Sequence, residues 1–360
     1  MFYNPKVNNN KMSKHLVTGS SGYVGSFIVR KLVELGESVV CLDLLEPHQI
    51  IKGKTTHITG SVLDRVLVDS LTKECDYVHH NAALVPLTKS GKEFRSVNVD
   101  GTACLLASSI QNNVKHFCHM SSSAVFGLPK ELPLLNSSSR IPCEIYGQSK
   151  KDAEDLVLAC IASNPNFSCS VIRPRTILGT ERMGIFELLF RWISQGKDIF
   201  VIGKADLPFQ FAHIDDIVNA SVFSCLKSKK GIYNVGTLEF NSLSEDLSSL
   251  IKYAKTKSRI IHLPEKLTIA GLSLLDNLKL SPFAPWHYLT YHKPFYFDSS
   301  YVYEELDYEP KGSNKNILEQ AYKHYKDNNI NPSIHSSSPH RSSLKSGMID
   351  FLASMISLFP

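Results

Sequence analysis

The sequence predicts an α/β protein, a doubly wound parallel sheet followed by a smaller, mostly C-terminal domain. Two observations carry that expectation. From His15 to about Arg173, short apolar runs alternate with amphipathic stretches, as strands and crossover helices of a parallel sheet do. The first run is joined to the first stretch by a glycine-rich turn, where such sheets gather their ligands.

The expected strands are His15–Val17, Ser38–Leu42, His57–Ile58, Tyr77–His80, His116–Met120 and Cys169–Ile172. Between them the apolar period changes to that of a helix at Tyr23–Leu35, Asp64–Leu71, Phe94–Gln111 and Tyr146–Ser163. Beyond Pro174 the alternation weakens. Ile185–Gln195, Asp215–Leu226 and Ser242–Tyr253 read as helices, and Gly231–Val235 as one more strand. The stretch Pro282–Pro294, with Trp286, Tyr288 and Tyr291, reads as a packed loop over a pocket. The expected division is a leader at 1–13, a nucleotide-binding domain at 14–175 to which segments near 205–235 return, and a substrate domain over most of 176–330. A linker and a short apolar tail fill 331–360.

Composition narrows the function classes. A formal charge of +5 on 360 residues, with no dense Lys/Arg stripe, argues against nucleic acid. The eight cysteines form no C-x-x-C pair and read as buried free thiols rather than zinc ligands, so no metal is expected. Residues 1–13 are rich in Asn and Lys and lack a secretory core. No apolar run reaches the roughly 20 residues of a membrane span, and a cytoplasmic protein is expected. In the tail, Met348, Ile349, Phe351, Leu352, Met355, Ile356, Leu358 and Phe359 follow a Ser/His/Pro-rich linker carrying Arg341 and Lys345. Packing against this domain or a second subunit is the favoured reading of the tail, and weak peripheral membrane contact the other.

Val17-Thr18-Gly19-Ser20-Ser21-Gly22-Tyr23-Val24-Gly25 stands between an expected strand and an expected helix. In that context Gly19 permits the tight turn, Gly22 lets backbone approach a pyrophosphate, and Gly25 allows close packing of helix on strand. The helix N-terminus offers free N–H groups to phosphate. Asp43, at the end of the second strand, is placed to accept hydrogen bonds from an adenosine ribose and to repel a 2′-phosphate, which favours NAD over NADP.

Tyr146-Gly147-Gln148-Ser149-Lys150 sets a phenol and an ammonium four residues apart on one helix face. A nearby cation stabilises a phenolate, so this tyrosine could take a proton from a substrate hydroxyl while hydride leaves the same carbon. The serines of Met120-Ser121-Ser122-Ser123-Ala124-Val125-Phe126-Gly127 lie at the end of the fifth strand, where a hydroxyl can hold the reacting oxygen.

Together these motifs resemble the NAD-dependent epimerase/dehydratase family of extended short-chain dehydrogenases/reductases, with their Rossmann-like fold. The resemblance extends to Gly60-Ser61-Val62-Leu63-Asp64 and His80-Asn81-Ala82-Ala83. It continues through Asn98-Val99-Asp100-Gly101-Thr102, Arg173-Pro174 and Phe211-Ala212-His213-Ile214-Asp215-Asp216, spanning about residues 15 to 325. It implies Ser122, Tyr146 and Lys150 as catalytic residues, with Ser123 a rival to Ser122. It implies a cofactor cleft built from Gly19, Gly22, Tyr23, Val24, Gly25, Asp43, Val62, Ala82, Ala83, Asn98, Tyr146, Lys150 and Pro174. Asn98 is expected to order the active site, and His213 and Asp216 to hold the domains together. A homodimer through Phe94–Gln111 and Tyr146–Ser163 is implied as well.

The resemblance implies an epimerase of a nucleotide sugar, acting through a transient keto intermediate. Dehydratases of the family carry an Asp-Glu pair where this chain has Ser123 and Ala124, which argues against water loss. The chain departs from nucleotide-sugar epimerases at Phe209, where they carry Arg, and near His292-Lys293-Pro294. Arg175 and Arg182, with Ser123, are therefore the expected substrate contacts. The departures keep two alternatives open: a 3β-hydroxysteroid-like or other hydroxyl/ketone dehydrogenase, and a non-catalytic NAD-sensing scaffold.

Overall fold

A computed structural model describes residues 12–46, 55–88, 90–180, 186–278 and 285–330. Arg182 and the tail at 331–360 lie outside these residues. The central sheet is formed by β1 (Lys14–Thr18), β2 (Ser38–Asp43), β3 (Thr56–Thr59), β4 (Tyr77–His80), β5 (His116–Met120), β6 (Cys169–Pro174) and β10 (Gly231–Val235). Its order is β10-β6-β5-β4-β1-β2-β3, and every pairing is parallel. The order reverses between β1 and β4, which opens a crevice beyond their C-terminal ends. Residues 176–178 (β7) pair with 211–213 (β9), and 199–202 (β8) with 260–263 (β11).

Helices α1 (Tyr23–Glu34), α2 (Arg65–Thr72), α3 (Glu93–Arg95), α4 (Gly101–Gln111) and α5 (Ile145–Ser163) connect the first six strands. Then follow α6 (Phe186–Ser194), α7 (Ile214–Leu226), α8 (Leu243–Ala254), α9 (Glu265–Asn277), α10 (Pro285–Thr290), α11 (Ser300–Leu306) and α12 (Asn314–Ile330). Strand β5 is buried along its whole length, its two histidines included, because helices cover both faces of the sheet. α1 and α7 pack on one face around Ile28, Leu32, Ile217 and Tyr233. On the other, α2, α4 and α5 enclose Val68, Leu105, Phe117 and Val157. A separate core of Phe190, Trp192, Phe211, Leu247 and Tyr322 joins α6, α8 and α12.

Local chemistry sets the helix boundaries. Asp64 and Ser242, expected as first helical residues, instead cap α2 and α8 through their side chains, and Ser242 forms a capping box with Glu245. The helix expected over Phe94–Gln111 is interrupted by one π turn at Ser96–Asp100. That turn carries Val97 at the crevice and, next to it, buried Asn98. The aromatic stretch expected as a loop contains α10, which buries Trp286 and Tyr288.

All eight cysteines are free thiols, although Cys104 and Cys143 are only half-buried. Under the sheet, His79, Cys118 and Cys225 bring their ligand atoms within 4.8 Å of one another. Hydrogen bonds already engage them there: His79 meets Ser221 at 2.9 Å and His15 at 3.1 Å, and Cys118 meets Ser221 at 3.4 Å. No helix among the described residues is long and apolar enough to cross a membrane.

Candidate active site

The crevice at the sheet reversal is a cleft of about 490 Å³. One end is the turn between β1 and α1. Gly19 has φ +64°, and a Cβ there would stand 2.8 Å from the backbone of Ala82, so only glycine lets the turn lie against the loop after β4. A Cβ on Gly25 would meet the carbonyl of Gly19 at 2.1 Å, so the close packing that requires this glycine is of α1 against its own turn. Gly22 caps α1 with no side-chain hydrogen bond, and the first turn carries no acidic residue. The opening N–H groups and positive end of the helix dipole are thus available to an anion.

Asp43 stands at the end of β2 beside this turn. One carboxylate oxygen accepts from the Ser21 amide at 2.9 Å and the other from the Leu45 amide at 3.0 Å. The residue therefore shapes the turn itself, and each oxygen keeps a further lone pair for a ribose hydroxyl. These features match the needs of a dinucleotide: a cradle that a Cβ would fill, a helix N-terminus for phosphate, and a carboxylate at the ribose position.

α5 forms the opposite wall. Its N-cap Glu144 accepts from the Tyr146 and Gly147 amides at 2.7 and 2.6 Å, which fixes the first turn where Tyr146 projects. Gly147 lets that turn approach the carbonyl of Ala124, which a Cβ would meet at 2.6 Å. Lys150 is 3% exposed and donates from Nζ to the Met120 carbonyl at 2.5 Å. Burial lowers its pKa to about 8, while the negative charge of Glu154 pulls the other way.

Ser122 and Ser123 border the same cleft. The Ser122 hydroxyl accepts from the Ala124 amide at 3.1 Å, capping a short 3-10 turn at Ser123–Phe126. Ser121 instead donates to buried Glu154 at 2.6 Å. Every residue assigned to the dinucleotide site borders the cleft except Asn98. Asn98 stands behind the wall: its amide oxygen accepts from Leu84 N at 2.7 Å, and its nitrogen donates to Ser149 Oγ at 2.9 Å. It therefore ties the loop after β4 to α5.

Arg175 also borders the cleft but is 1% exposed. Its guanidinium lies over the rings of Phe209 and Phe295, at 4.5 and 4.2 Å from their centroids. Nε donates to the Phe295 carbonyl and Nη1 to Thr176 Oγ1, while Nη2 is buried without a hydrogen-bond partner among the described residues. Burial pushes its pKa down to about 10. Phe209, a departure expected to weaken diphosphate binding, serves here as a stacking surface for Arg175.

His213 and Asp216 act separately. His213 caps α7 by accepting from the Asp215 amide. Asp216 is fully buried, accepts from the Lys311 amide and from Tyr303 Oη, and has its pKa raised to about 7 by burial. Both ties bind α7 to later chain.

Sequence reasoning missed Glu154, which is 0% exposed and forms a buried ion pair with Arg173, itself 1% exposed. Arg140 adds a second contact at 3.0 Å. The position one turn beyond Lys150 was a signal, since a carboxylate at i+4 lies on the same helix face. The apolar walls from Phe186, Trp286 and Tyr291 come from segments distant in sequence, and only the aromatic stretch hinted at them.

Comparison with known proteins identifies the family. Residues 15–236 match the family described as NAD dependent epimerase/dehydratase family. The chain is 34% identical over 345 residues to the uncharacterized protein y4nG of Sinorhizobium fredii, covering 96% of this chain and 87% of that protein. It is 35% identical over 260 residues to UDP-glucose 4-epimerase of Halalkalibacterium halodurans, covering 64% of this chain and 77% of the other. In fold it is similar to the crystal structure of UDP-glucuronic acid 4-epimerase from Bacillus cereus in complex with NAD. That match has a TM-score of 0.72 at 23% identity and covers 90% of this chain and all of the other.

Proposed function

Because the chain belongs to the NAD-dependent epimerase/dehydratase family, we propose that it is an NAD-dependent nucleotide-sugar epimerase working through a transient keto intermediate. One observation carries the reading: Tyr146 and Lys150 border the same cleft as the glycine turn and Asp43. NAD, the family's cofactor, supplies the acceptor and donor of hydride. The residues of the chain do the rest. The α1 amides and Gly19 seat the pyrophosphate, and Asp43 holds the adenosine ribose. Tyr146 takes the proton from a sugar hydroxyl and later returns it, while Ser122 or Ser123 holds the reacting oxygen. Lys150, fixed on the Met120 carbonyl, provides the positive charge that favours the phenolate. Asn98 keeps the two walls in register.

Epimerisation requires that the keto intermediate turn over in the cleft and take hydride back on its other face. A second reading, a hydroxyl/ketone dehydrogenase for an apolar substrate, is supported by the aromatic walls and by the sequestration of Arg175 between two phenylalanines. Melting-temperature shifts against UDP-sugars separate the two. The epimerase is stabilised by mass action, whereas the apolar-substrate enzyme is unmoved. In either case Tyr146→Phe abolishes turnover while NAD stays bound. Full activity in that variant overturns the mechanism.

A further inference from the structure

Thr18 and His80 are the last residues of β1 and β4 and stand opposite each other in the sheet. Both are buried, and Thr18 Oγ1 lies 2.9 Å from His80 Nδ1. The other ring nitrogen, Nε2, lies 2.9 Å from the hydroxyl of Thr102 in the first turn of α4. The far end of this chain fixes where each proton sits. The Asn98 carbonyl, 2.7 Å from Thr102 Oγ1, can only accept, so the one hydroxyl proton of Thr102 goes there. His80 must then donate from Nε2 and accept at Nδ1 from Thr18, whose oxygen takes the Asn81 and Ala82 amides at 3.2 Å each. Burial lowers the pKa of His80 to about 3, and the charge of Lys150 acts in the same sense, so the ring stays neutral and in this one tautomer.

We infer that His80 is a positioning residue for hydride transfer: through Thr18 and Thr102 it holds the loop after β4 in register with the π turn and with the helix that carries Tyr146. Beyond Asn98 the chain continues with the same polarity. The Asn98 side-chain nitrogen donates to Ser149 Oγ at 2.9 Å, and Ser149 Oγ donates to the Tyr146 carbonyl at 2.7 Å. Both ends are cleft residues, Ala82 at one and Tyr146 at the other. Thr18, His80, Thr102, Asn98 and Ser149 are all buried, so solvent is not at hand to replace a lost bond. The pyrophosphate and ribose seats are shaped separately, by Gly19, Gly25 and Asp43. Loss of His80 should therefore displace the phenol from the nicotinamide more than it loosens the cofactor, and a misplacement of about 1 Å can cost a hundredfold in rate. This inference rests on the reaction proposed above, in which Tyr146 is the base.

Thr102→Val keeps the shape of the side chain and removes both of its hydrogen bonds, whereas Thr102→Ser keeps the hydroxyl. With a UDP-sugar that the parent turns over, kcat of Thr102→Val and of His80→Leu is expected to fall by about tenfold to a hundredfold, while NAD affinity stays within about threefold. Thr102→Ser should resemble the parent. The double variant should lose no more than the worse single one, because both break the same link. Ser168→Ala removes an equally buried contact, to His116 at 2.8 Å beside the N-terminal ends of β5 and β6, and should lower the melting temperature without changing kcat. Turnover of Thr102→Val like the parent, NAD affinity falling in step with kcat, or an equal loss of kcat in Ser168→Ala overturns the inference. Hydrogen exchange of the protein with NAD and without substrate separates these results from a failure of the reaction itself. In Thr102→Val the peptides covering Ser96–Asp100 and the first turn of α5 should exchange faster than in the parent, and in Ser168→Ala they should not. Unchanged exchange overturns the inference whatever the substrate, whereas faster exchange in a protein that turns over no UDP-sugar supports the tie and refutes the proposed reaction.

Discussion

Glu154→Gln removes one charge from a buried network and leaves its shape nearly intact. In the parent, Glu154 accepts from Arg173 at Nε and Nη2, from Arg140 at 3.0 Å and from Ser121 at 2.6 Å, with no solvent on the carboxylate. The variant keeps one amide oxygen as an acceptor but leaves the Arg173 guanidinium, buried against the Asn136 carbonyl and the Phe126 ring, without a negative charge beside it. Breaking such a pair from one side costs about 3–5 kcal/mol, because the remaining charge is still held away from water. At about 2 °C per kcal/mol for a large domain, that is a fall of ~6–10 °C in melting temperature. Adding Arg173→Met should recover most of the loss, since removing both charges removes the desolvation cost too. A second readout reaches the active site. Glu154 supports the ammonium of Lys150, so its neutralisation moves the alkaline limb of the rate profile to lower pH. Calorimetry of the three proteins, with a rate profile of the first variant, tests both statements. A variant that melts within a degree or two of the parent would refute the reasoning.

Three more outcomes follow from the same geometry. Gly25→Ala forces a methyl group into the Gly19 carbonyl, so the purified variant should contain little NAD when its denatured supernatant is assayed by cofactor cycling. Full occupancy would show that the turn yields. Arg175→Met keeps the stacking volume between Phe209 and Phe295 and removes a buried unpaired nitrogen, so thermal stability should hold or rise. If Arg175 reaches substrate, UDP-sugar affinity should drop by about tenfold in the same variant, as calorimetric titration would show. Lys150 has its folded pKa lowered from 10.5 to about 8, so between those values the unfolded chain holds a proton that the folded chain has released. Stability of the parent relative to Lys150→Met should therefore rise by about 3 kcal/mol as pH goes from about 8 to 10.5. Parallel denaturation midpoints across that window would contradict the burial of a charged Lys150.

The parts of the fold legible in the sequence are those whose signal is local. β4, β5 and β10 fall at their expected bounds, and α1 and α5 lie within a residue of theirs. The turn that lines the cleft was legible for the same reason: Gly19, Gly22, Gly25 and Asp43 act through backbone conformation and position at strand ends. Pairings set by distant chain were not. The two small sheets join β7 to β9 and β8 to β11, whose three- and four-residue strands carry little periodicity of their own. Asn98 shows the limit within the site. Its place in the sequence marked it as important, but only the π turn reveals that it clamps Leu84 to Ser149 from behind the wall. Arg175 read as a substrate contact, and the fold sets it at the cleft, stacked between rings contributed from positions 209 and 295 that its own place in the sequence did not indicate.

The central claim is that one carbon of a nucleotide sugar gives up a hydride to NAD in this cleft and receives it back. It is tested most directly with UDP-glucose or UDP-glucuronic acid deuterated at the ring carbon that inverts, incubated with the purified protein in ordinary water and followed by NMR and at the absorbance of reduced nicotinamide. The account predicts an epimer that keeps its deuterium at the inverted carbon, with no net reduction of NAD. Loss of the label to solvent, or reduced cofactor accumulating in step with a keto product, would contradict it.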